Sequence, residues 1–450
     1  MRSPVLAFLL VLLFSQNAGA QWIEVFSGFS VEDRGLQKIA IVDRNVVWAV
    51  AWDGRINPVS IQEYTKSVDG GVTWVTGTIN GANPTYEAAC ITAVSEDSAW
   101  VAMFDSVNSG GAILRTTDGG QTWMHQTTAE FKAPYGGPNV VHFFDARNGF
   151  AMGDPNGEDT GAHYFEIYTT TDGGNNWIRV PANKVAPSGY YEFGMIGNYE
   201  VWQDHIWFGT TYGRVYHSRD RGYSWDVFNT PLDTTSPIVS LAFRDSLNGL
   251  AVGRATTDPH SADMGVLKTT DGGKTWTVVA TGVTGGIEKK NDIAFVPMTD
   301  DTYIITGSSP GSEGSAFSTD GGQTWTQIDT VKHYKLEFQD FDVAYSGSFQ
   351  MNGNSGVFKW TGGLFPIGIA STPEAVFSIY PNPGDGNLFI RTNTSSPMQF
   401  SAFDAMGRQV YAGVTTGELT HLDLSGSDAG VYLLRFNTGR DVYTRKVIIR

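Results

Sequence analysis

The chain has 450 residues, rich in glycine (53) and in aromatic side chains (13%), with 17% charged residues and one cysteine. That balance disfavours a long-helix protein and points to an all-β chain with many tight turns. A net charge of −16 excludes a nucleic acid partner, which needs a Lys/Arg footprint, and the lone cysteine excludes a disulfide framework.

Residues 1–20 read as a signal peptide. Arg2 supplies the positive start, Val5 to Phe14 is an almost unbroken apolar run, and Ala18-Gly19-Ala20 forms a small-residue cleavage site before Gln21. The run is too short to span a bilayer, and no later segment approaches the length a membrane helix needs, so no transmembrane segment is expected. The exported chain then begins QWIEVFSG, a strand with nothing before it.

A unit follows that recurs about every fifty residues. It opens with strand, polar turn and strand, as in IVDRNVVWAVAW at 41–52, AVSEDSAWVAMF at 93–104, FFDARNGFAMGD at 143–154, FRDSLNGLAVGR at 243–254 and FVPMTDDTYIITG at 295–307. A short third strand such as GAILRT leads into an octapeptide: SVDGGVTW, TTDGGQTW, TTDGGNNW, SRDRGYSW, TTDGGKTW or STDGGQTW. A fourth strand such as WTVVATG completes the unit. The octapeptide aspartates, Asp69, Asp118, Asp172, Asp220, Asp271 and Asp320, are spaced 49, 54, 48, 51 and 49 residues apart, a period suited to one four-stranded propeller blade.

Each octapeptide reads as a hairpin turn. The Asp accepts hydrogen bonds from N–H groups of its own turn, and a glycine such as Gly120 supplies the positive φ that closes it. The closing Trp74, Trp123, Trp177, Trp225, Trp276 and Trp325 are expected to pack between sheets. Six equivalent copies cannot share one active site, so these residues are expected to be structural and no catalytic residue is assigned.

The unit occurs six times with its octapeptide. A seventh copy at 336–360 has neither octapeptide nor fourth strand, and residues 22–28 match the missing strand. The predicted fold is therefore a seven-bladed β-propeller over 21–360 whose N-terminal strand closes the last blade, leaving no exposed sheet edge.

Other chemistry is sparse. Cys90, in AACITAV, is expected to be a buried, inert thiol. The eight histidines lack zinc spacing, and the oxygen-rich loop from Asp154 to Asp159 lacks the final carboxylate of a calcium loop, since that position is Phe165. No metal or cofactor is expected. Residues 135–216 are dense in aromatics. Tyr190 and Tyr191, with Arg214, Arg219 and Arg221 nearby, form the candidate ligand-binding patch, for a glycan or a protein.

The DGG-x-T-W octapeptides resemble the BNR or Asp-box repeats of sialidases, sortilin-type receptors and xyloglucanases. The combination D-x-x-N-G-F/L-A-x-G with TTDGG-x-T-W is closer to the photosystem II stability/assembly-factor-like propellers, above all over GDPNGEDTGAHYFEIYTTTDGGNNW at 153–177. This resemblance covers about 22–360 and implies a fold more than a function. Sialidases carry an F/Y-R-I-P motif, which Arg55-Ile56-Asn57-Pro58 breaks; related xyloglucanases need two propellers. A glycoside hydrolase therefore stays as the alternative to a non-enzymatic binding scaffold.

Composition changes in the linker 361–376. Residues 377–450 read as a small β-sandwich and resemble a type IX (Por) secretion system C-terminal sorting domain. The matching elements are Tyr380-Pro381-Asn382-Pro383, the turn from Asp404 to Arg408 with Gly407, the strand with Gly430 and Tyr432, and the end from Lys446. The resemblance implies that the type IX machinery reads 377–450, and that the protein passes through the periplasm to be secreted or held at the outer cell surface.

Overall fold

The computed structural model describes residues 21–450 except 27, 30–33, 54–59, 133–135, 156–162, 233–235, 255–263, 282–290, 310, 349–355, 363–376, 383, 393–397, 405–406, 416–418 and 438–441. Residues 1–20, expected as a signal peptide, and the Arg55–Pro58 stretch thus lie outside the described residues, as does most of the loop after Asp154.

Apart from a 3₁₀ turn at Ala182–Lys184, every described element is a strand. Among the described residues no helix is long and apolar enough to cross a membrane. Strands up to Trp360 form seven four-stranded antiparallel sheets. Six are meanders of consecutive strands, over 34–78, 86–125, 138–179, 194–229, 238–281 and 292–327. The seventh joins Lys335–Asp340, Val343–Gly347 and Val357–Trp360 to Trp22–Phe26 from the other end of the chain. Trp22 pairs with Trp360 there, and Thr361 N–H donates to the Gln21 carbonyl at 2.9 Å.

The first strand of each sheet lies against the first strand of the next, and Lys335–Asp340 lies against Arg34–Ile41, so the sheets close into a ring around a central channel. The apolar core sits in the seams. One cluster combines Trp48 and Tyr64 with Val101, Leu114 and Trp123 of the following sheet; another joins Phe150 and Ile167 to Phe208, Tyr216 and Trp225. Large aromatics suit these seams because sheets packed face to face leave about 10 Å to fill.

Residues from Phe377 onward form a separate pair of sheets with their own core. One sheet holds Phe377–Tyr380, Asn387–Thr392 and Leu419–Asp423; the other holds Gln399–Phe403, Gln409–Val414, Gly430–Asn437 and Val442–Ile449. Asn387–Thr392 alternates exposed and buried, and Leu388 and Ile390 meet Phe400, Leu434 and Phe436 of the facing sheet. This period of two is what a two-layer sandwich requires.

Candidate functional site

The six octapeptides share one hydrogen-bond pattern. In the second copy Thr116 Oγ1 donates to Asp118 Oδ1 (2.9 Å) and accepts from Gly120 N–H (2.9 Å). Asp118 Oδ1 also accepts from Thr122 N–H (2.9 Å), and Oδ2 from Thr122 Oγ1 (2.5 Å). Asp69, Asp172, Asp220, Asp271 and Asp320 repeat this with Thr73, Asn176, Ser224, Thr275 and Thr324. The donor hydroxyls and N–H groups of Thr73 and Thr122 hold the carboxyls of Asp69 and Asp118 down at about 2. Both carboxylate oxygens are thus engaged within the turn. The indoles of Trp74, Trp225, Trp276 and Trp325 donate to the glycine carbonyl three residues earlier, whereas those of Trp123 and Trp177 have no such partner.

The aromatic and arginine patch divides in two. Tyr190 and Tyr191 are exposed (64% and 56%), with ring centroids 4.2 Å apart, and Tyr191 has φ +58°. Arg214 lies on their side, its Nη2 3.3 Å from the Pro187 carbonyl, but it is bound by two bonds to the buried Glu192 carboxylate. Arg219 and Arg221 follow the other end of the strand Arg214–Ser218, roughly 16 Å away at the usual rise of a strand. They pair with Asp226 (2.7 Å) and Asp204 (2.6 Å). The five residues therefore do not form one site. Neighbours in sequence are carried to opposite ends of a strand, and each guanidinium is already neutralised.

Polar side chains converge instead in the channel. Along Gly194–Trp202, Gly194 pairs with Thr210 but Tyr199 pairs with Phe208, so residues 195–198 leave the ladder as a wide bulge. Gly197, at φ +64°, carries the bulge across the ring: a Cβ there would meet the Ala89 carbonyl at 3.3 Å and that of Gln37 at 3.9 Å. Asn198 Nδ2 donates to the Ile238 carbonyl at 2.7 Å. One segment thus reaches the first, second and fifth sheets from the fourth.

Beside this bulge lies a polar layer. Lys38 Nζ is 3.2 Å from Glu337 Oε2 and 5.0 Å from the centre of the Tyr199 ring. His142 Nδ1 is 3.2 Å from Tyr199 Oη. Asp292 accepts from Ser240 Oγ (2.5 Å) and from the N–H groups of Ile293 and Leu336. Burial is the largest influence on Lys38 and works against its charge, but Glu337, Cys90, Asp292 and Glu200 together outweigh it and raise the ammonium pKa; burial and then Lys38 push His142 down to about 3. Cys90 is fully buried, its thiol raised by burial, with Sγ 3.5 Å from the Val141 carbonyl.

Two cavities, of about 850 and 650 Å³, meet at Lys38, Tyr199, Glu200 and Glu337. Glu200 stands between them. Among the described residues it accepts no hydrogen bond and joins no ion pair, and burial pushes its carboxyl well above the usual range. Trp202, Phe243, Phe295 and Phe338 wall the larger cavity, and Arg244, Asp300 and the sorting segment's Arg435 edge it. The sequence reading missed this site. Its signal was a charged residue within an inner strand, as in LQKIAI, NYEVW and KLEFQD.

In the C-terminal sandwich, Asn382 clasps the last strand: Nδ2 donates to the Lys446 carbonyl (2.8 Å), and Oδ1 accepts from Ile448 N–H (2.9 Å). Tyr380 and Pro381 precede this clasp, while Pro383 lies outside the described residues. Gly407, at φ +76°, donates its N–H to Asp404, whose carboxylate holds Arg408 at 2.9 Å. Gly430 pairs with Ile449, and the buried Tyr432 donates its hydroxyl to the Asp428 carbonyl.

Residues 378–450 match the family described as secretion system C-terminal sorting domain, and residues 316–327 match the BNR/Asp-box repeat. The chain is an Asp-box β-propeller with a type IX sorting domain. The protein is accordingly exported by that system, to the cell surface or beyond. No curated protein matches the sequence. Among solved structures, "YCF48 bound to D1 peptide" is 17% identical, with 76% of this chain and 97% of that chain covered and a TM-score of 0.53. YCF48 from Cyanidioschyzon merolae is 18% identical over 76% and 99%, with a TM-score of 0.52. At such identity the likeness is one of fold. An α-L-arabinanase of Penicillium chrysogenum, at 11% identity over 76% and 98% and a TM-score of 0.42, is too distant to bear on activity.

Proposed function

We propose that the protein is a non-enzymatic binding scaffold, a ring of seven blades whose ligand enters the central cavity beside Glu200. The observation that carries this reading is the cavity beside the bulge at 195–198, with a carboxylate in its wall, Glu200, that has no partner among the described residues. Hydrolysis of a glycoside needs a pair of carboxyl groups free to act. Here Glu337 is held by Lys38, and Asp292 by Ser240 and two backbone N–H groups. Residues 1–20 act as the signal peptide, 21–360 as the ring, 361–376 as the linker and 377–450 as the sorting module, which is recognised and then removed. The separate apolar core of the sandwich supports this division.

The test is a panel of aryl-glycosides, a glycan array and a peptide array, run on the secreted protein. Binding without turnover is expected. Turnover abolished by Glu200→Gln would replace the scaffold with a glycoside hydrolase. Mass spectrometry of the secreted form should find a C-terminus within 361–376, and a form retaining Arg450 would refute removal.

A further inference from the structure

We infer that the central cavity takes an organic cation, an amine or guanidinium carried on an apolar body, with Glu200 as its counter-ion. This rests on the reading of the cavity as the binding site and names the ligand class.

The charge balance of the walls comes first. Ring residues lining the larger cavity include five acidic side chains against three basic ones. Most of the acids are engaged: Glu337 with Lys38, Asp292 with Ser240 and Leu336, and Asp245 with the N–H groups of Leu247 and Asn248 in its own turn. Asp300, exposed at the rim, and Glu200, between the two cavities, are left without a side-chain partner among the described residues, so a cation entering beside Glu200 breaks no existing ion pair. The basic side chain that could oppose this is Lys335. Its Nζ lies 5.4 Å from the Tyr334 ring centre, and burial lowers its pKa.

The rest of the wall fits the same ligand. Trp202, Phe243, Phe295 and Phe338 offer ring faces and edges to an apolar body, and aromatic faces attract a cation directly. An anion would find Lys38 already taken. The chain itself sets a guanidinium at the cavity edge: Arg435 of the sorting domain, with Nη1 3.3 Å from Asp340 Oδ2.

A proton is linked to entry. Burial keeps the Glu200 carboxyl protonated well above its usual range; Glu337 and Asp292 add to this, and Lys38 opposes it. A cation favours the carboxylate, so binding expels the proton and affinity should rise with pH.

The experiment is calorimetric titration of the full chain with 2-phenylethylamine and agmatine, against phenylacetate and 2-phenylethanol, at pH 6 and pH 8. The amine should bind at least tenfold more tightly than the alcohol, and more tightly at pH 8. Glu200→Gln should remove at least tenfold of that affinity and the pH dependence while leaving the melting temperature in place. Equal or tighter binding of phenylacetate, no binding of either cation at millimolar concentration, or an unaffected Glu200→Gln variant would overturn the cation assignment. Ala294→Trp, which fills the cavity, separates the two readings, with Ala294→Leu as the milder variant should the first not fold. Phenylacetate bound by the native chain and lost on filling leaves the cavity as the site and refutes the cation. Cation binding that survives filling refutes the cavity itself.

Discussion

Six sheets of the ring and the seventh solve the same problem differently. In the six, the outer strand follows directly from its neighbour through an Asp-box turn, whose carboxylate binds the backbone and side chain four residues on. In the seventh, the outer strand arrives from the N-terminus and there is no turn to stabilise. The tryptophan survives the change. Trp22 opens the outer strand as the box tryptophans do, lies 4.9 Å from Trp360, and donates its indole N–H to Ser315 Oγ of the sixth sheet. The turn and the indole are thus separable devices: the Asp box fixes a local bend, while the tryptophan fills a seam between sheets.

The largest expected effect tests the seam without a box. Trp22→Ala empties a site walled by Trp360, His333 and Phe338, and should cost about 3–5 kcal/mol in chemical denaturation, as buried aromatic truncations do. A loss no larger than that from a surface substitution would mean that the seventh sheet closes without its terminal strand. Next comes a single box. Asp271→Ala strips the acceptor from Thr269, Thr275 and the Thr275 N–H, and is expected to cost about 1–3 kcal/mol in thermal or urea unfolding. An unchanged midpoint with altered ligand binding would show that this Asp serves a site.

Acid sharpens the contrast. Asp69 and Asp118 titrate in the fold at about 2, below the ordinary carboxylate value, so their contribution is full above pH 4 and is lost as pH falls from about 4 to about 2. Melting temperatures should decline across that window. Thr73→Val, which removes the hydroxyl that donates to Asp69 Oδ2, should flatten the decline, and a slope identical to the native one would deny the turn this role. The smallest effect belongs to the exposed pair. Tyr190→Ala should shift stability by no more than about 0.5 kcal/mol, as surface substitutions do, and a larger loss would show that the loop supports the blade.

Much of this architecture was legible in one dimension because its causes are local. An Asp box is an eight-residue hydrogen-bonding circuit, so its letters recur wherever the bend does, and a fifty-residue period carries the four-stranded unit. The missing fourth strand at 336–360 and the orphan strand at Trp22 were complementary gaps in the same pattern. The sandwich was readable through its resemblance to a known family at Tyr380 to Asn382, Gly430 and Tyr432, although Asn382 meets Lys446 and Ile448 across 64 and 66 residues.

The site obeys a different logic. Lys38 and Glu337 are 299 residues apart and meet because a ring brings its first sheet against its last. Glu200 reads in NYEVW as an ordinary solvent-facing charge; the inner strand of a closed ring sets it half-buried in a cavity wall. The bulge at 195–198 depends on Gly197 passing within contact distance of Gln37 and Ala89, backbone that no local pattern places nearby. Conversely, Arg214, Arg219 and Arg221 look like a cluster because they are close in sequence, and a strand separates them. Sequence determined the repeat and its turns, since those are hydrogen bonds among near neighbours, and the sorting module through its motifs. Only ring closure decided which charges face one another, because that pairing is set by the inner strands converging on one axis.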